Sequence, residues 1–274
     1  MEDPGLLDIY GEFCDEIQSI FRSGILMQVL IGLDSGEKTL ADLRSITGSS
    51  SQALLPRIRQ LESFHYVESK PGRYALTPLG EIVVPEIGRL VRLMAGIRRH
   101  EDFWSAHDIA CIPEPFRKSL GDLYEATVLH AVAEDILNVH THFLQVLDRA
   151  EWIHAVSSIT SHDHADTLRR LALRGTPIEL VVPETLAEKL MASPYAHMQD
   201  ELAGIETFAF YISPEPIRLG MTVTDTALSL GLYKRGTETY DLAADLASRD
   251  RRAVAWGEQV FQHYKRGAER LTLG

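Results

Sequence analysis

Gln52, Arg57 and Arg59, with Lys70 and Arg73 a little further on, place one amide and four cations in a single short stretch. An amide can bond both edge atoms of adenine, a guanidinium both acceptors of guanine, and any of the cations a phosphate. The chemistry on offer is therefore the reading of a DNA duplex. Ser50 and Ser51 stand just ahead of Gln52. A hydroxyl there caps a helix, and the free N–H groups of a helix start also hold phosphate. The candidate DNA-contacting residues are thus Ser50, Ser51, Gln52, Pro56, Arg57, Arg59, Lys70 and Arg73. Gln52 is assigned to base edges, Arg59 to a base or a phosphate, and Ser50, Ser51, Lys70 and Arg73 to phosphates.

A second set of polar residues lies further along. Ser157, Ser158, Thr160 and His162 follow one strand-like run, Thr185 follows another, and Asp225 separates two more. Small ligands of α/β sheets sit beyond the carboxyl ends of strands, which makes these six a candidate effector site. They serve equally well as turn and cap residues. His140 and His142 point to different faces of one helical stretch, and nothing local completes a ligand set around His162, Asp163 and His164. No Ser-His-Asp arrangement, paired-carboxylate spacing, GxSxG or GxGxxG is present. No catalytic residue, metal or cofactor is assigned.

These groups need elements to hold them. Leu40, Leu43 and Ile46 repeat at helical spacing until Gly48, with Thr39 as cap. After the serines, Leu54, Ile58 and Leu61 line one face of a second helix, and Gln52, Pro56, Arg59 and Ser63 fall on the other. That order is a helix-turn-helix, whose second helix enters the major groove. Tyr66-Val67-Glu68 and Tyr74 to Thr77 read as two strands about a turn at residues 69–73, a basic wing. Pro56 conflicts with the second helix, since an interior proline costs about 3 kcal/mol if nothing compensates. The helix is kept, starting near residue 50 with a bend, because a first turn has no bonds to lose. Ahead of this pair, residues 24–33 form the first core helix, and the apolar stripe before them packs on a second subunit or on the C-terminal domain.

The formal net charge of −12 excludes a generic polyanion binder, yet residues 44–73 carry a local +3. That fits a protein touching DNA through one face. Cys14 and Cys111 read as small buried groups rather than disulfide partners. The acidic start is unlike a signal peptide, and no apolar run is long enough to span a bilayer, so a soluble, cytoplasmic protein is expected.

Residues 81–110 read as a connecting helix, with helices near 117–124 and 132–149. Strands at 151–156, 178–182 and 206–212 then alternate with helices at 163–173 and 185–192, which is the order of a sheet parallel at its centre. Segments 218–223 and 226–233 form a hairpin, and a helix over 253–271 closes the chain. The expected fold class is α/β (α+β overall). A winged helix-turn-helix domain spans 1–95, a connector 96–116, and an α/β regulatory domain 117–274.

The runs ALLPRIRQLESFHYV and YALTPLG, then IHAVSSIT, RRLALRGTPIELVVPETLAEKL and the long C-terminal stretch from TVTDTALSLGLYKRG, resemble archaeal winged-helix regulators that carry a methanogenesis-regulator middle domain. The resemblance covers nearly the whole chain. It implies a DNA-binding transcription regulator, acting on double-stranded DNA as a homodimer, whose second domain senses a small molecule or mediates assembly. The second domain also resembles the phospholipase D-like sheet fold. That enzyme needs His-x-Lys with an Asp five residues after the Lys. Counting back from Asp225, Arg218 stands in the His place and Gly220 in the Lys place, so the fold is expected without its chemistry. The rival expectations are a phosphodiesterase joined by its winged domain and a winged protein-interaction module.

Overall fold

The computed structural model describes residues 5–271. The chain divides into two compact units, Met1–Val91 and Arg92–Gly274.

The first unit opens with α1 (Leu6–Arg22) and α2 (Gly24–Asp34). They part at Ser23, whose extended backbone stops one helix and whose Oγ accepts from Leu26 N–H at 3.3 Å to start the next. The next helix, α3 (Leu40–Thr47), begins in a reciprocal cap. The Asp42 carboxylate accepts from Thr39 N–H at 2.9 Å, and Thr39 Oγ1 accepts from Asp42 N–H at 3.2 Å. Gly48, at φ +62°, ends it in the left-handed region that other residues avoid. After it, α4 (Ser51–Ser63) starts on Ser50, whose Oγ accepts from Ala53 N–H at 3.4 Å. Strands β1 (Val67–Lys70) and β2 (Arg73–Leu76) pair antiparallel about Pro71-Gly72, with Gly72 at φ +74° as a type II turn requires. Leu26, Leu30, Leu43, Leu54, Ile58 and Leu61 bury the apolar faces of these helices together.

Helix α5 (Pro78–Arg99) starts on Thr77, whose Oγ1 accepts from Gly80 N–H at 3.1 Å. The unit boundary falls inside this helix. Residues 96–116, expected as a connector, instead belong to the second unit: Phe103 and Trp104 of α6 (Glu101–Ala106) and Phe116 of α7 (Glu114–Arg117) are buried in its core. An aromatic cluster of that kind reads as a helix end in sequence but acts as an anchor in the fold.

The rest of the second unit runs β3 (Thr127–His130), α8 (Asn138–Asp148), β4 (Ile153–Ser157), α9 (His162–Leu173), β5 (Ile178–Pro183), α10 (Glu184–Met191) and α11 (Ala196–Leu202). Then come β6 (Phe208–Ser213), β7 (Leu219–Thr224), β8 (Leu228–Leu232), β9 (Ala244–Ser248), α12 (Arg251–Arg266) and β10 (Glu269–Leu271). Eight strands form one sheet in the order β10-β6-β5-β4-β7-β8-β9-β3. Only β4, β5 and β6 pair parallel; every other neighbour is antiparallel. Three expectations are corrected. The helix near 132 begins at Asn138, the stretch read as a helix over 117–124 is the end of α7 and a 3-10 turn at Leu120–Leu123, and the closing helix stops at Arg266 before the edge strand β10.

One sheet face packs on α12 through Met221, Val223, Leu228, Leu230 and Leu246 against Trp256, Val260 and Phe261. The other is apolar only over β4–β6, where Leu180, Val182, Phe208 and Phe210 meet α9 and α10. Cys14 and Cys111, expected to be buried, are free thiols of intermediate exposure. Among the described residues, no helix is long and apolar enough to cross a membrane.

Candidate nucleic-acid interface and ligand cavity

The first site is the outer face of α4. Leu54, Ile58 and Leu61 are turned in, which leaves Gln52, Pro56, Arg59 and Ser63 exposed. Pro56 is the sixth residue of the helix, beyond the turn that has no bonds to lose, so the Gln52 carbonyl forgoes its helical partner. Both residues lie on the solvent side, where water can take that bond. Among the described residues Arg59 has no ion-pair or hydrogen-bond partner, whereas Arg57 is spent on its own helix, its Nη1 donating to Gln60 Oε1 at 3.2 Å. Ser50 is a cap, and Ser51 is the first helical residue.

On the wing, Arg73 is exposed at the tip and Lys70 lies opposite it in register. Lys70 is not a free cation, however. Its Nζ donates to Glu37 Oε1 at 2.8 Å and lies 3.4 Å from Glu68. The hydrogen bond from Lys70, more than its charge alone, holds Glu37 below the usual carboxylate range. A phosphate would have to displace that pair, which is fully solvated and weak.

The second site is a cavity on the sheet face away from α12. Ser157 of β4, Gly220 of β7 and Gly231 of β8 lie side by side in register. The Tyr240 ring closes over the two glycines. A Cβ on Gly220 would stand 2.5 Å from the Tyr240 hydroxyl, and one on Gly231 1.9 Å from it. Thr222, Ser229 and Asp245 continue this polar surface, with Asp245 Oδ2 accepting from Ser229 Oγ at 2.9 Å. The mouth, in which these polar groups are set among apolar walls such as Val139, Phe143 and Leu242, has a volume of about 520 Å³. Behind it a pouch of about 110 Å³ runs under α10 and α11, lined by Leu180, Val182, Leu186, Leu190 and Phe208. Ser157, Thr160, His164 and Thr222 line both compartments.

Two helices supply a histidine pair at the junction. His140 of α8 stacks on His164 of α9 at 4.8 Å between centroids, with 3.1 Å between His140 Nδ1 and His164 Nε2. His140 Nε2 lies 3.3 Å from Asp163. Burial first, and then the neighbouring His140, push the His164 imidazole down to about 4, so it is neutral at physiological pH.

Asp245 is 8% exposed. Burial raises its carboxyl from 3.8 to about 6, against the lowering effect of the Ser229 hydrogen bond. Tyr240 is also pushed up, by burial first and then by Asp245, and keeps its proton as a donor. The folded state thus binds a proton at Asp245 more tightly than the unfolded chain does. Stability falls as pH rises from about 4 to about 6, and the full penalty persists above that window. The substitution Asp245→Asn is therefore expected to raise the melting temperature at pH 7, by up to roughly 3 kcal/mol of stability. Calorimetry across pH should show the gain vanish below pH 4; a gain independent of pH would refute the assignment.

The six residues read from sequence as an effector site are not brought together. Ser157 and Thr160 line the cavity, but Ser158 turns to Tyr233, its Oγ 3.0 Å from that hydroxyl. His162 and Thr185 are exposed and line neither compartment. Asp225 is at the opposite end of β4, its Oδ1 accepting from Glu151 N–H at 2.8 Å. The rule of strand ends placed them correctly in sequence but not in depth. Ser229, Tyr240 and Asp245 were missed, although Leu228-Ser229-Leu230-Gly231-Leu232 alternates large apolar residues with small ones and so marks a face that leaves room above the sheet.

Arg218, in the His place of the phosphodiesterase motif, pairs with Glu238 and stacks on Tyr233 at 5.0 Å. Gly220, in the Lys place, has no room for a side chain under Tyr240. His-x-Lys is therefore absent from these positions both in sequence and in space.

Residues 14–95 match the family described as methanogenesis regulatory protein FilR1, N-terminal domain, and residues 136–267 that of the FilR1 middle domain. The methanogenesis regulatory protein FilR1 of Methanothrix harundinacea (strain 6Ac) is 26% identical over 259 residues, which is 93% of this chain and 58% of that protein. The chain thus spans little more than half the length of its curated relative. Among solved structures, the archaeal chromatin protein TrmBL2 is similar over 95% of this chain and 100% of its own, at 15% identity and a TM-score of 0.41. The phospholipase D family member Nuc from Salmonella typhimurium is similar over 54% of this chain and 97% of its own, at 12% identity and a TM-score of 0.41.

Proposed function

This chain belongs to the family built from the FilR1 N-terminal and middle domains, and from that premise we propose that it is a DNA-binding transcription regulator with a small-molecule effector site in its second unit. The observation that carries the reading is the solvent face of α4. Gln52 and Arg59 stand exposed at helical spacing, Arg59 without a partner among the described residues, on a helix held firm by Leu54, Ile58 and Leu61. Arg59 and Gln52 read base edges, while the α4 start and Arg73 of the wing hold the flanking phosphates.

The protein works as a cytoplasmic homodimer on two half-sites of double-stranded DNA. Support for the second copy comes from α1, where Leu6 is 81%, Leu7 85% and Phe13 51% exposed. An effector in the second unit changes how two wings meet their half-sites. The reading is not enzymatic, since the phosphodiesterase positions hold Arg218 and Gly220.

The test is a salt-titrated anisotropy assay on an operator found by genomic footprinting. Arg59→Ala is expected to weaken the specific site by roughly 1–3 kcal/mol and to relax one position of it. Lys70→Ala should have a smaller effect, alike on all sequences, because Glu37 and Glu68 already share its charge. Unchanged binding curves for both variants would remove α4 and the wing as the DNA face.

A further inference from the structure

We propose that the cavity of the second unit takes a small amine, a primary ammonium or protonated nitrogen heterocycle bearing a compact apolar group, with the nitrogen on Asp245 and the apolar group in the pouch. This rests on the reading of the cavity as an effector site and gives that effector a chemical class.

The argument begins with Asp245. It is more than nine-tenths buried, and Ser229 is its one hydrogen-bond donor among the described residues. A carboxylate accepts at about four lone-pair positions, so most of its capacity faces the cavity unmet. Burying a carboxylate without a cation is unfavourable, and proteins retain such groups chiefly where they act. The other acids of the mouth are already matched. Asp241 lies 3.6 Å from Lys234 and 3.3 Å from His107, and Asp163 is 3.3 Å from His140. Asp245 alone lacks a basic neighbour.

No lysine or arginine lines the mouth and its His164 is held neutral, so a phosphate or carboxylate would enter beside the unpaired Asp245 with no fixed positive charge to receive it. Arg169, which reaches the pouch, is held by Asp166 at 2.7 Å and Glu201 at 2.6 Å. A polyol would satisfy the hydroxyls but leave Asp245 unneutralised and the apolar pouch unfilled. A cation completes the site. Tyr240 and Phe143 offer ring faces that attract an ammonium, and Ser157, Thr160 and Thr222 offer acceptors for its remaining N–H groups. The pouch, at about 110 Å³, suits a short branched chain and is too small for a bulky ring system. The glycines at 220 and 231 are required for this arrangement, because only without side chains there can the hydroxyl end of Tyr240 come down onto the sheet and make a wall of the cavity.

The experiment titrates the full chain by ligand-observed NMR with three compounds of one carbon skeleton: 3-methylbutylamine, 3-methylbutan-1-ol and 3-methylbutanoate, at neutral pH. The amine is expected to bind roughly tenfold or more tighter than the alcohol, and the carboxylate not to bind. Asp245→Asn, which relieves a buried charge and so keeps the fold, should bring the amine down to the level of the alcohol. Leu190→Trp, filling the pouch from a half-buried position, should weaken amine and alcohol alike. Equal binding of amine and alcohol overturns the proposal, as does an amine preference that survives Asp245→Asn, or no binding by any of the three. The Arg59→Ala assay on DNA is independent of these arms. Its failure with amine binding intact would remove the regulator and leave the amine site, and the reverse pattern would remove only the amine.

Discussion

Gly80→Ala is expected to destabilise the helix-turn-helix unit by about 2 kcal/mol, so that it unfolds at lower denaturant, and to weaken DNA binding. Gly80 is the last residue of the run Leu76-Thr77-Pro78-Leu79-Gly80, and it lies in the first turn of α5 against the chain that leaves α4. A Cβ there would stand 2.2 Å from the carbonyl oxygen of Tyr66 and 3.2 Å from Leu76 Cβ. The obstacle is backbone, so no side-chain rotation relieves it. That carbonyl also accepts from Thr77 N–H at 3.0 Å, and Thr77 caps the helix, so a shift of either partner loosens the cap. Two effects oppose each other. Alanine is the better helix former, by about 1 kcal/mol. Overpacking against a fixed carbonyl costs roughly 3 kcal/mol, and it wins. Since Trp104, Trp152 and Trp256 all belong to the second unit, the measurement is amide exchange of α3 and α4, with DNA anisotropy beside it. Unchanged protection in α3 and α4 would show that the close approach is not needed.

Trp256→Ala should have a larger effect on the second unit. Trp256 is 2% exposed on α12, edge-on to Phe116 with centroids 6.4 Å apart, and its Nε1 donates to the Phe116 carbonyl at 3.1 Å. One side chain therefore fixes the short α7 segment to the helix that covers the sheet. Removing it leaves a cavity, worth about 3–5 kcal/mol, and one hydrogen bond fewer, worth about 1 kcal/mol more, since Ser119 N–H and Oγ still donate to the Phe116 carbonyl at 3.2 Å. Trp256→Phe separates the two, because it restores most of the volume and none of the bond. Urea melts followed by far-UV circular dichroism should rank Ala well below Phe and Phe below the parent. Equal midpoints for Ala and Phe would mean that packing volume hardly counts here.

These two positions show how differently the halves of the chain announce themselves. The winged unit is built from signals a few residues long: Thr39 and Asp42 capping each other, Gly48 in the left-handed region, Ser50 as the next cap, and Pro71-Gly72 at the wing tip. Each is a local balance of sterics and backbone bonds, and each is visible as a residue type at a fixed offset. Pro56 is the exception, since where the helix starts decides whether a proline costs a bond, and it stands one turn deeper than a harmless position.

The two-part fold and the solvent face of α4 were therefore legible in residue type and periodicity, whereas the family was legible only as a resemblance of whole sequence runs. The tertiary structure decided what lies buried and what is paired. Lys70 looks free in the chain, but Glu37, more than thirty residues earlier, meets it across the wing. Thr185 and Asp225 fall at strand ends yet outside the cavity, while Ser229, Tyr240 and Asp245 come to its wall from two strands and the loop between them. Sheet register alone brings Ser157, Gly220 and Gly231 into one row, and register is a property of paired strands, not of any one of them. A helix cap is a contact between near neighbours and can be read along the chain. A cavity is the space between distant segments, and it exists only once they have packed.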